Sequence, residues 1–355
     1  MALLVKGELS LWLQNECCFY ILAHISKGGI QMKTIFTFLI AFLCLQTPAQ
    51  ADRDLSKIPA IFRKPIETIR AFGFEGIENV EYQIGDEWGK KIVTLDSLQN
   101  ESQVFQKAAR RTARFGNFSG SGTAFYLGKF NGKHVIASNY HVIEDASGCR
   151  GSSANFTMLK KTFKCKEFIG SWSDVDFALA TIDVSEADEA ELEDLGQNMA
   201  FNSEIYAGQE LLTIGHGYAN NNGQRLVANQ DSDCIVFSQG DDVRYLADPD
   251  DKNPADYKVW SFANGCDISH GDSGSAMVDR NTGDILGIIW TGRIPKHSKV
   301  QSSAYLQQML TANSEEIWQE LSYAAPSFAI KEILQEYIQK DVPVDTKETI
   351  RQILQ

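Results

Sequence analysis

Basic residues are scarce in this sequence of 355 residues, which has 33 Lys and Arg against 46 Asp and Glu and a formal net charge of −13. Proteins that bind nucleic acid need a basic face to neutralise phosphates, so this balance argues against DNA or RNA as a partner. The charged fraction of 22% and the hydrophobic fraction of 43% are ordinary for a globular protein. These values exclude a disordered or fibrous chain.

Signatures of metal and cofactor sites are also lacking. No two cysteines have the CxxC spacing of a zinc or redox site, and no glycine-rich phosphate-binding loop is present. Residues 248–253 are rich in carboxylates, but they lack the glycine and the distal glutamate of an EF-hand. We therefore predict no metal site and no cofactor.

Long hydrophobic runs are missing as well. One apolar stretch follows Met32 and Lys33, and it is too short to cross a membrane. It ends before Ala49-Gln50-Ala51, the small-x-small pattern that signal peptidase reads. We interpret residues 32–51 as a signal peptide that leaves no membrane anchor. We interpret residues 1–31 as a mis-assigned upstream extension, a genuine extension being the alternative.

Cysteine usage agrees with export to the bacterial periplasm or the extracellular space. Three of the seven cysteines precede the expected cleavage site, which leaves an even number in the mature chain. An even number in an exported protein predicts two disulfides. The spacing favours Cys149–Cys165 and Cys234–Cys266, although four cysteines allow three pairings.

Short apolar runs broken by Gly, Asn and Asp fill most of residues 92–328, a pattern typical of many short β-strands. The clearest of these runs are residues 123–127, 134–138, 177–182, 210–214 and 284–290. Because few helical patterns intervene, the sequence predicts an all-β barrel or sandwich.

Helical patterns occur in three places. The acidic residues 185–195 predict a solvated turn or short helix, and residues 304–321 have the spacing of an inserted helix. Apolar residues on one face of residues 329–340 predict a terminal helix that packs on the β structure. We treat residues 52–91 as a pro-segment or N-terminal extension, and residues 341–355 as a C-terminal tail.

Three segments carry the groups of a nucleophilic serine site. A serine hydroxyl becomes reactive when an imidazole accepts its proton and a carboxylate orients that imidazole. His141 follows an apolar strand pattern, Asp176 precedes another, and Ser273 lies in the turn Gly271-Asp272-Ser273-Gly274. The backbone amides of Gly271 and Ser273 can converge there as an oxyanion hole. The order His, Asp, Ser excludes an α/β-hydrolase, which has the order Ser, Asp, His.

These motifs resemble chymotrypsin-like serine peptidases of the trypsin superfamily. Residues 271–278 resemble their nucleophile region, and residues 120–142 resemble the first barrel of bacterial Deg/HtrA-type and glutamyl-endopeptidase-type members. Residues 207–215 resemble the segment between their barrels, and residues 323–327 resemble their final strand. The resemblance covers about residues 120–329, and we expect no PDZ domain after it.

The resemblance implies two six-stranded antiparallel β-barrels, here residues 92–215 and 224–328, followed by the terminal helix. It implies a serine endopeptidase that acts on proteins or peptides through an acyl-enzyme, with His141, Asp176 and Ser273 as the triad. Asp176 is preferred to Asp174 because the family's Asp-x-Ala-Leu motif begins there. We expect a monomer. The alternatives are a binding protein or chaperone with silent or regulated proteolysis, and an esterase-like hydrolase.

Specificity is implied in the same way. In the trypsin-like branch, the residue six positions before the nucleophile, here Asp267, forms the floor of the primary specificity pocket. Trp290, Thr291 and Gly292 would form the wall of that pocket. A carboxylate in a narrow pocket selects Arg or Lys, because the cationic side chain relieves a costly buried charge. A structural role for Asp267 is the alternative.

Activation by cleavage is a further expectation. In trypsin-like zymogens the aspartate before the serine pairs with a newly formed N-terminal ammonium, and Asp272 occupies this position. A cut between Lys91 and Ile92 would supply the ammonium, with Arg110-Arg111 as a competing site. Deg-type members have asparagine at the aspartate position and need no cut. The alternative to an activation site is that Lys90 and Lys91 are an ordinary lysine pair before a strand.

The predicted leader can be tested directly. If residues 32–51 are removed on export, the exported protein begins at Asp52 or later. N-terminal sequencing of protein recovered from outside the bacterial inner membrane measures this. An exported protein that still carries residues 1–51 would contradict the assignment.

Overall fold

The computed structural model describes three short N-terminal strands and a larger part of the chain beyond them. This larger part comprises residues 90–116, 120–193, 195, 201, 204–218, 224–231, 234–238, 243–248, 257–292 and 321–355. The predicted signal peptide, residues 52–89 and residues 304–320 of the predicted inserted helix lie outside the described residues. No described helix is long and apolar enough to cross a membrane.

Residues 1–64 and 65–355 form two compact units. The described part of the first unit is a three-stranded antiparallel sheet of order β1-β2-β3, with strands β1 (Leu3–Val5), β2 (Glu8–Ser10) and β3 (Ala23–His24). All elements discussed below belong to the second unit.

A short strand and two helices lead into the β structure of the second unit: β4 (Lys91–Ile92), α1 (Leu95–Leu98) and α2 (Gln103–Arg111). Thr94 and Ser102 cap the two helices, because their side-chain oxygens accept hydrogen bonds from backbone amides of the first turn. The predicted first barrel therefore begins about twenty residues later than residue 92, at Thr112.

Six antiparallel strands then close into a barrel in the hydrogen-bonded order β10-β7-β6-β5-β8-β9. The elements are β5 (Thr112–Gly116), β6 (Ser121–Phe130), β7 (Lys133–Ser138), the short helix α3 (Ala146–Cys149), β8 (Ser153–Phe156), β9 (Lys161–Trp172) and β10 (Phe177–Ile182). All six residues of β10 are buried. Apolar side chains such as Phe115, Ile136 and Phe156 fill the interior, as expected of a small barrel.

The second half of this unit is an antiparallel sheet of order β13-β14-β17-β16-β15-β11-β12-β4. After helix α4 (Glu186–Glu193), its strands are β11 (Leu211–Gly215), β12 (Val227–Asn229), β13 (Arg244–Ala247), β14 (Lys258–Asn264), β15 (Ala276–Asp279), β16 (Ile285–Gly292) and β17 (Ser322–Pro326). The all-β class and the first barrel are confirmed. The second half was predicted as another six-stranded barrel; in the described residues it is an eight-stranded sheet, whose edge strand β4 comes from before the first barrel and pairs with β12.

Helices α5 (Ser327–Tyr337) and α6 (Val344–Ile353) end the chain. The predicted terminal helix corresponds to α5, which buries Ile330, Ile333 and Leu334. Residues 341–355, predicted as a tail, contain α6 instead. Its buried apolar residues are Ile350 and Ile353, and two apolar positions are too few for periodicity alone to indicate a helix.

Both disulfides join the cysteines that the spacing favours. Cys149–Cys165 links α3 to β9 within the barrel, and Cys234–Cys266 lies within the second half. The pairing left open among three possibilities is thereby confirmed. Because each bridge closes within its own half, each half carries its own covalent constraint.

Candidate active site

The chain segment after β7 and the segment before β10 bring His141 and Asp176 together. Strands β7 and β10 pair with Ser138 opposite Ala178, so the residues just beyond these partners are neighbours. The imidazole Nδ1 of His141 lies 2.7 Å from Oδ2 of Asp176, and the His141 amide donates to Oδ1 at 3.0 Å. The Asn139 side chain donates to the Asp176 carbonyl at 2.8 Å, which ties the same two segments together.

Asp176 occupies an unusual backbone position. It follows the 3₁₀ turn Ser173–Val175, has φ +41°, and is 0% exposed. Left-handed backbone is uncommon outside glycine, although aspartate tolerates it better than most residues, and such strain clusters at functional sites. A fully buried carboxylate needs strong partners, and both hydrogen bonds from His141 meet that need.

The hydrogen bond assigns the protons of His141. A carboxylate only accepts, so Nδ1 carries a hydrogen and the lone pair of Nε2 is left to accept a proton. Burial by itself lowers the pKa of His141, but the charge of Asp176 and its hydrogen bond outweigh burial, so the net pKa is raised above 6.5. The His141 side chain is 38% exposed and open to a reactant. The pair is therefore suited to take up a proton and hold it.

Asp174 has a different role from Asp176. Its Oδ1 accepts a hydrogen bond of 2.9 Å from the hydroxyl of Tyr245. Burial first, and then the charge of Asp174, raise the pKa of this tyrosine. The contacts of the two aspartates thus agree with the preference for Asp176.

The turn that holds Ser273 is fastened to both halves of the unit. The Thr123 amide of β6 donates to the Ser273 carbonyl at 2.8 Å, and the Thr123 hydroxyl donates to the Gly271 carbonyl at 2.7 Å. The Gly274 amide donates to the Ile289 carbonyl of β16 at 2.9 Å. The barrel and the sheet therefore position the half-buried Ser273 together.

Two positions in this turn require glycine. Gly271 and Gly274 have φ +98° and +89°, in the left-handed region that favours glycine. A Cβ at Gly274 would also overlap the Thr123 carbonyl oxygen, which accepts a hydrogen bond of 2.7 Å from the Ser138 hydroxyl. The glycine pattern around Ser273 is therefore a steric requirement of this turn.

The predicted specificity residues lie in the second half. Asp267 is 3% exposed, and its amide donates to Oδ1 of Asn229 at 2.9 Å. Trp290 is buried in β16 and donates from Nε1 to the Ser261 hydroxyl. Thr291 is 9% exposed, and Gly292 ends the strand. The role of these four positions in specificity stays a prediction.

Sequence reasoning missed two residues at this site. Tyr257 stacks on Tyr140 beside His141 and meets Trp290 edge-on, and burial followed by the Asp176 charge raises the pKa of its hydroxyl. No motif marks this tyrosine. Lys90 binds Asp272, the residue before Ser273, at 2.7 Å. The lysine pair that contains it was visible, but was interpreted as a cleavage site.

Comparisons with known proteins identify one matching family. Residues 120–288 match the family model of the trypsin-like peptidase domain. A search of curated proteins finds no match.

Among solved structures, the chain is similar to the Rv3671c protease from M. tuberculosis in its active form, with 15% identity and a TM-score of 0.44. That match covers 73% of this chain and 93% of the other chain. It is also similar to the HtrA-type protease AlgW with a tripeptide, with 18% identity, a TM-score of 0.41, and coverage of 67% and 63%.

Replacing Asp176 with asparagine tests the electrostatics of the pair. Asparagine removes the charge that favours the protonated imidazole, so we expect the pKa of His141 to fall. NMR titration of the imidazole measures this. Asp174→Asn is the matched control, because Asp174 binds Tyr245 and should leave the His141 pKa in place. An unchanged pKa in Asp176→Asn would contradict the assignment.

Proposed function

We propose that the chain is a serine endopeptidase with Ser273, His141 and Asp176 as its catalytic triad, and the match of residues 120–288 to the trypsin-like peptidase domain supports this proposal. The observation that carries this proposal is the 2.7 Å hydrogen bond between His141 Nδ1 and the buried Asp176 carboxylate. This bond leaves the other imidazole nitrogen to act as a base toward a serine.

The proposed reaction has two stages. Ser273 Oγ attacks the carbonyl carbon of the scissile peptide bond while His141 Nε2 accepts the hydroxyl proton. His141 then gives that proton to the leaving amine, which leaves an acyl-enzyme on Ser273. In the second stage water attacks the ester with His141 again as base, and Ser273 regains its proton. The amides of Gly271 and Ser273 stabilise the negative oxygen in both stages.

The electrostatics of the pair suit both stages. Asp176 stabilises the imidazolium that forms when His141 takes the serine proton. The same charge raises the His141 pKa, so a larger share of His141 is protonated near neutral pH. Because the base must be neutral to start the reaction, the rate should rise as the pH passes upward through this raised pKa.

We further propose that the enzyme is an exported monomer. Its two disulfides support export, because such bridges persist in oxidising compartments such as the periplasm and the extracellular space. Activation by a cut between Lys91 and Ile92 stays a prediction. In the uncut chain these residues form β4, which pairs with β12.

Cleavage after Arg or Lys is the proposed specificity, with Asp267 as the residue that attracts the cation. Its burial supports this, because a buried carboxylate gains most from a cationic partner. Gly292 would leave room for a long side chain beside Trp290 and Thr291. A structural role for Asp267 is the competing explanation, and it predicts no preference for basic residues.

Ser273→Ala tests the triad. Without the nucleophile, kcat on casein should fall by about 10⁶-fold and labelling by a fluorophosphonate should stop. The matched control is Ser185→Ala, because Ser185 is exposed beside α4 and should leave both signals in place. Casein cleavage that survives in Ser273→Ala, with the fold intact, would contradict the proposal. Labelling with cleavage of short esters only would instead favour an esterase.

Asp267→Ser tests the specificity. We expect the unaltered enzyme to cut a peptide library after Arg or Lys, and Asp267→Ser to lose about 10²-fold or more in kcat/KM on these sites, because the charge pairing is lost. The control is a substrate with an apolar residue before the cut, and its kcat/KM should not fall in Asp267→Ser. A cut-site map of the unaltered enzyme without Arg or Lys before the cut would remove this proposal.

A further inference from the structure

Lys90 and Lys91 are adjacent in sequence but have opposite environments. Lys91 is exposed, whereas Lys90 is 8% exposed. The Nζ of Lys90 lies 2.7 Å from Oδ2 of Asp272 and 2.7 Å from the Ser269 hydroxyl. Burying a lysine is costly unless the lysine is paired, and the contact with Asp272 supplies that pairing.

The carboxylate of Asp272 lies in a site built for it. The Ser269 amide and hydroxyl donate to Oδ2 at 2.9 and 3.0 Å, in addition to Lys90. Gly215 and Gly217 leave the space it occupies: a Cβ at Gly215 would lie 2.6 Å from Oδ1, and one at Gly217 would overlap both oxygens. The carboxylate is thus held from two sides by hydrogen-bond donors and by two residues without side chains.

Asp272 is also part of the turn that presents the nucleophile. Its amide donates to the Ser269 carbonyl at 3.0 Å, and its carbonyl accepts from the Ser275 amide at 2.9 Å and the Ser275 hydroxyl at 2.6 Å. A movement of the carboxylate toward water that carries the Asp272 backbone with it would break these backbone bonds. It would therefore shift the Gly271 and Ser273 amides on either side.

We propose that Lys90 is a positioning residue, which neutralises the Asp272 carboxylate and so holds residues 271–274 in their reactive shape in the uncut chain. This inference rests on the proposed function, because it assigns a role in the geometry of the oxyanion hole. It also makes cleavage between Lys91 and Ile92 unnecessary, since the cation that such a cut would supply is already present.

The position of Lys90 is fixed by the sheet. Directly after it, Lys91 and Ile92 pair with Ala228 and Val227, and the Val93 amide donates to the Leu226 carbonyl at 2.9 Å. Strand β4 therefore anchors the lysine backbone at the edge of the sheet while its side chain reaches the turn. A cut after Lys91 would separate Lys90 from this anchor.

The experiment compares Lys90→Met with Lys91→Met. Removing one partner of a buried ion pair leaves an uncompensated charge that drives the turn to rearrange. We expect Lys90→Met to lower kcat by about 10²-fold or more with KM little changed, since the loss of an oxyanion-hole donor costs about this much. Binding of a peptide boronate, which forms a tetrahedral adduct on the serine, should weaken in parallel. Lys91→Met should stay within about twofold of the unaltered enzyme.

A double variant keeps the test decisive if Lys90→Met unfolds. Lys90→Met/Asp272→Asn removes both charges, so no buried charge is left unpaired, and the Ser269 donors can still bind the amide oxygen. We expect this variant to melt at a higher temperature than Lys90→Met and to regain at least about tenfold in kcat. A double variant no better than Lys90→Met in melting temperature and kcat would overturn the inference.

The remaining outcomes separate this inference from the proposed function. Normal kcat and boronate binding in Lys90→Met would overturn the role of Lys90 while the triad stands. An inactive, uncut Lys91→Met beside an active, cut unaltered enzyme would overturn it in favour of activation by cleavage. A folded unaltered protein that neither cleaves casein nor labels at Ser273 would overturn the proposed function, and this inference with it.

Discussion

The buried carboxylate of Asp176 is the interaction on which the rest of the site depends. It is 0% exposed and accepts two hydrogen bonds from His141, one from the backbone and one from the imidazole. A buried charge is costly without such partners, so both hydrogen bonds stabilise the carboxylate. The same bonds fix the orientation of the imidazole. The register of β7 against β10 makes this contact, and the barrel that contains both strands keeps it.

The site combines two separately buried carboxylates in different roles. Asp176 orients an imidazole that is 38% exposed and open to a reactant, whereas Asp272 is enclosed by Ser269, Lys90 and two glycines. The first raises the pKa of His141, and we propose that the second holds the turn of Ser273 in shape. Thr123 connects them structurally, because β6 neighbours β7 in the barrel and also fastens the turn of Ser273.

Residues that stand in local patterns could be identified from the sequence as candidates for the site. His141, Asp176 and Ser273 each adjoin a strand pattern, and glycines at positions 271 and 274 indicate a turn that needs positive φ. Strands β6, β7 and β10 of the first barrel followed from short apolar runs. Contacts that depend on tertiary structure were not predictable. Lys90 and Asp272 are 182 positions apart in the sequence, and Tyr257 contacts Tyr140 from a segment without a motif. The helix α6 was missed because its apolar face is short.

Strand β4 has a consequence for how the polypeptide matures. It is made before the barrel, yet its partner β12 lies after the barrel. During synthesis the N-terminal part emerges first, so β4 has no ladder to join until the chain beyond the barrel has left the ribosome. Such a distant pairing closes a long loop and is slow to form. Docking of this strand is thus a late event that follows folding of the barrel, and Lys90 reaches Asp272 in the turn of Ser273 when β4 joins β12.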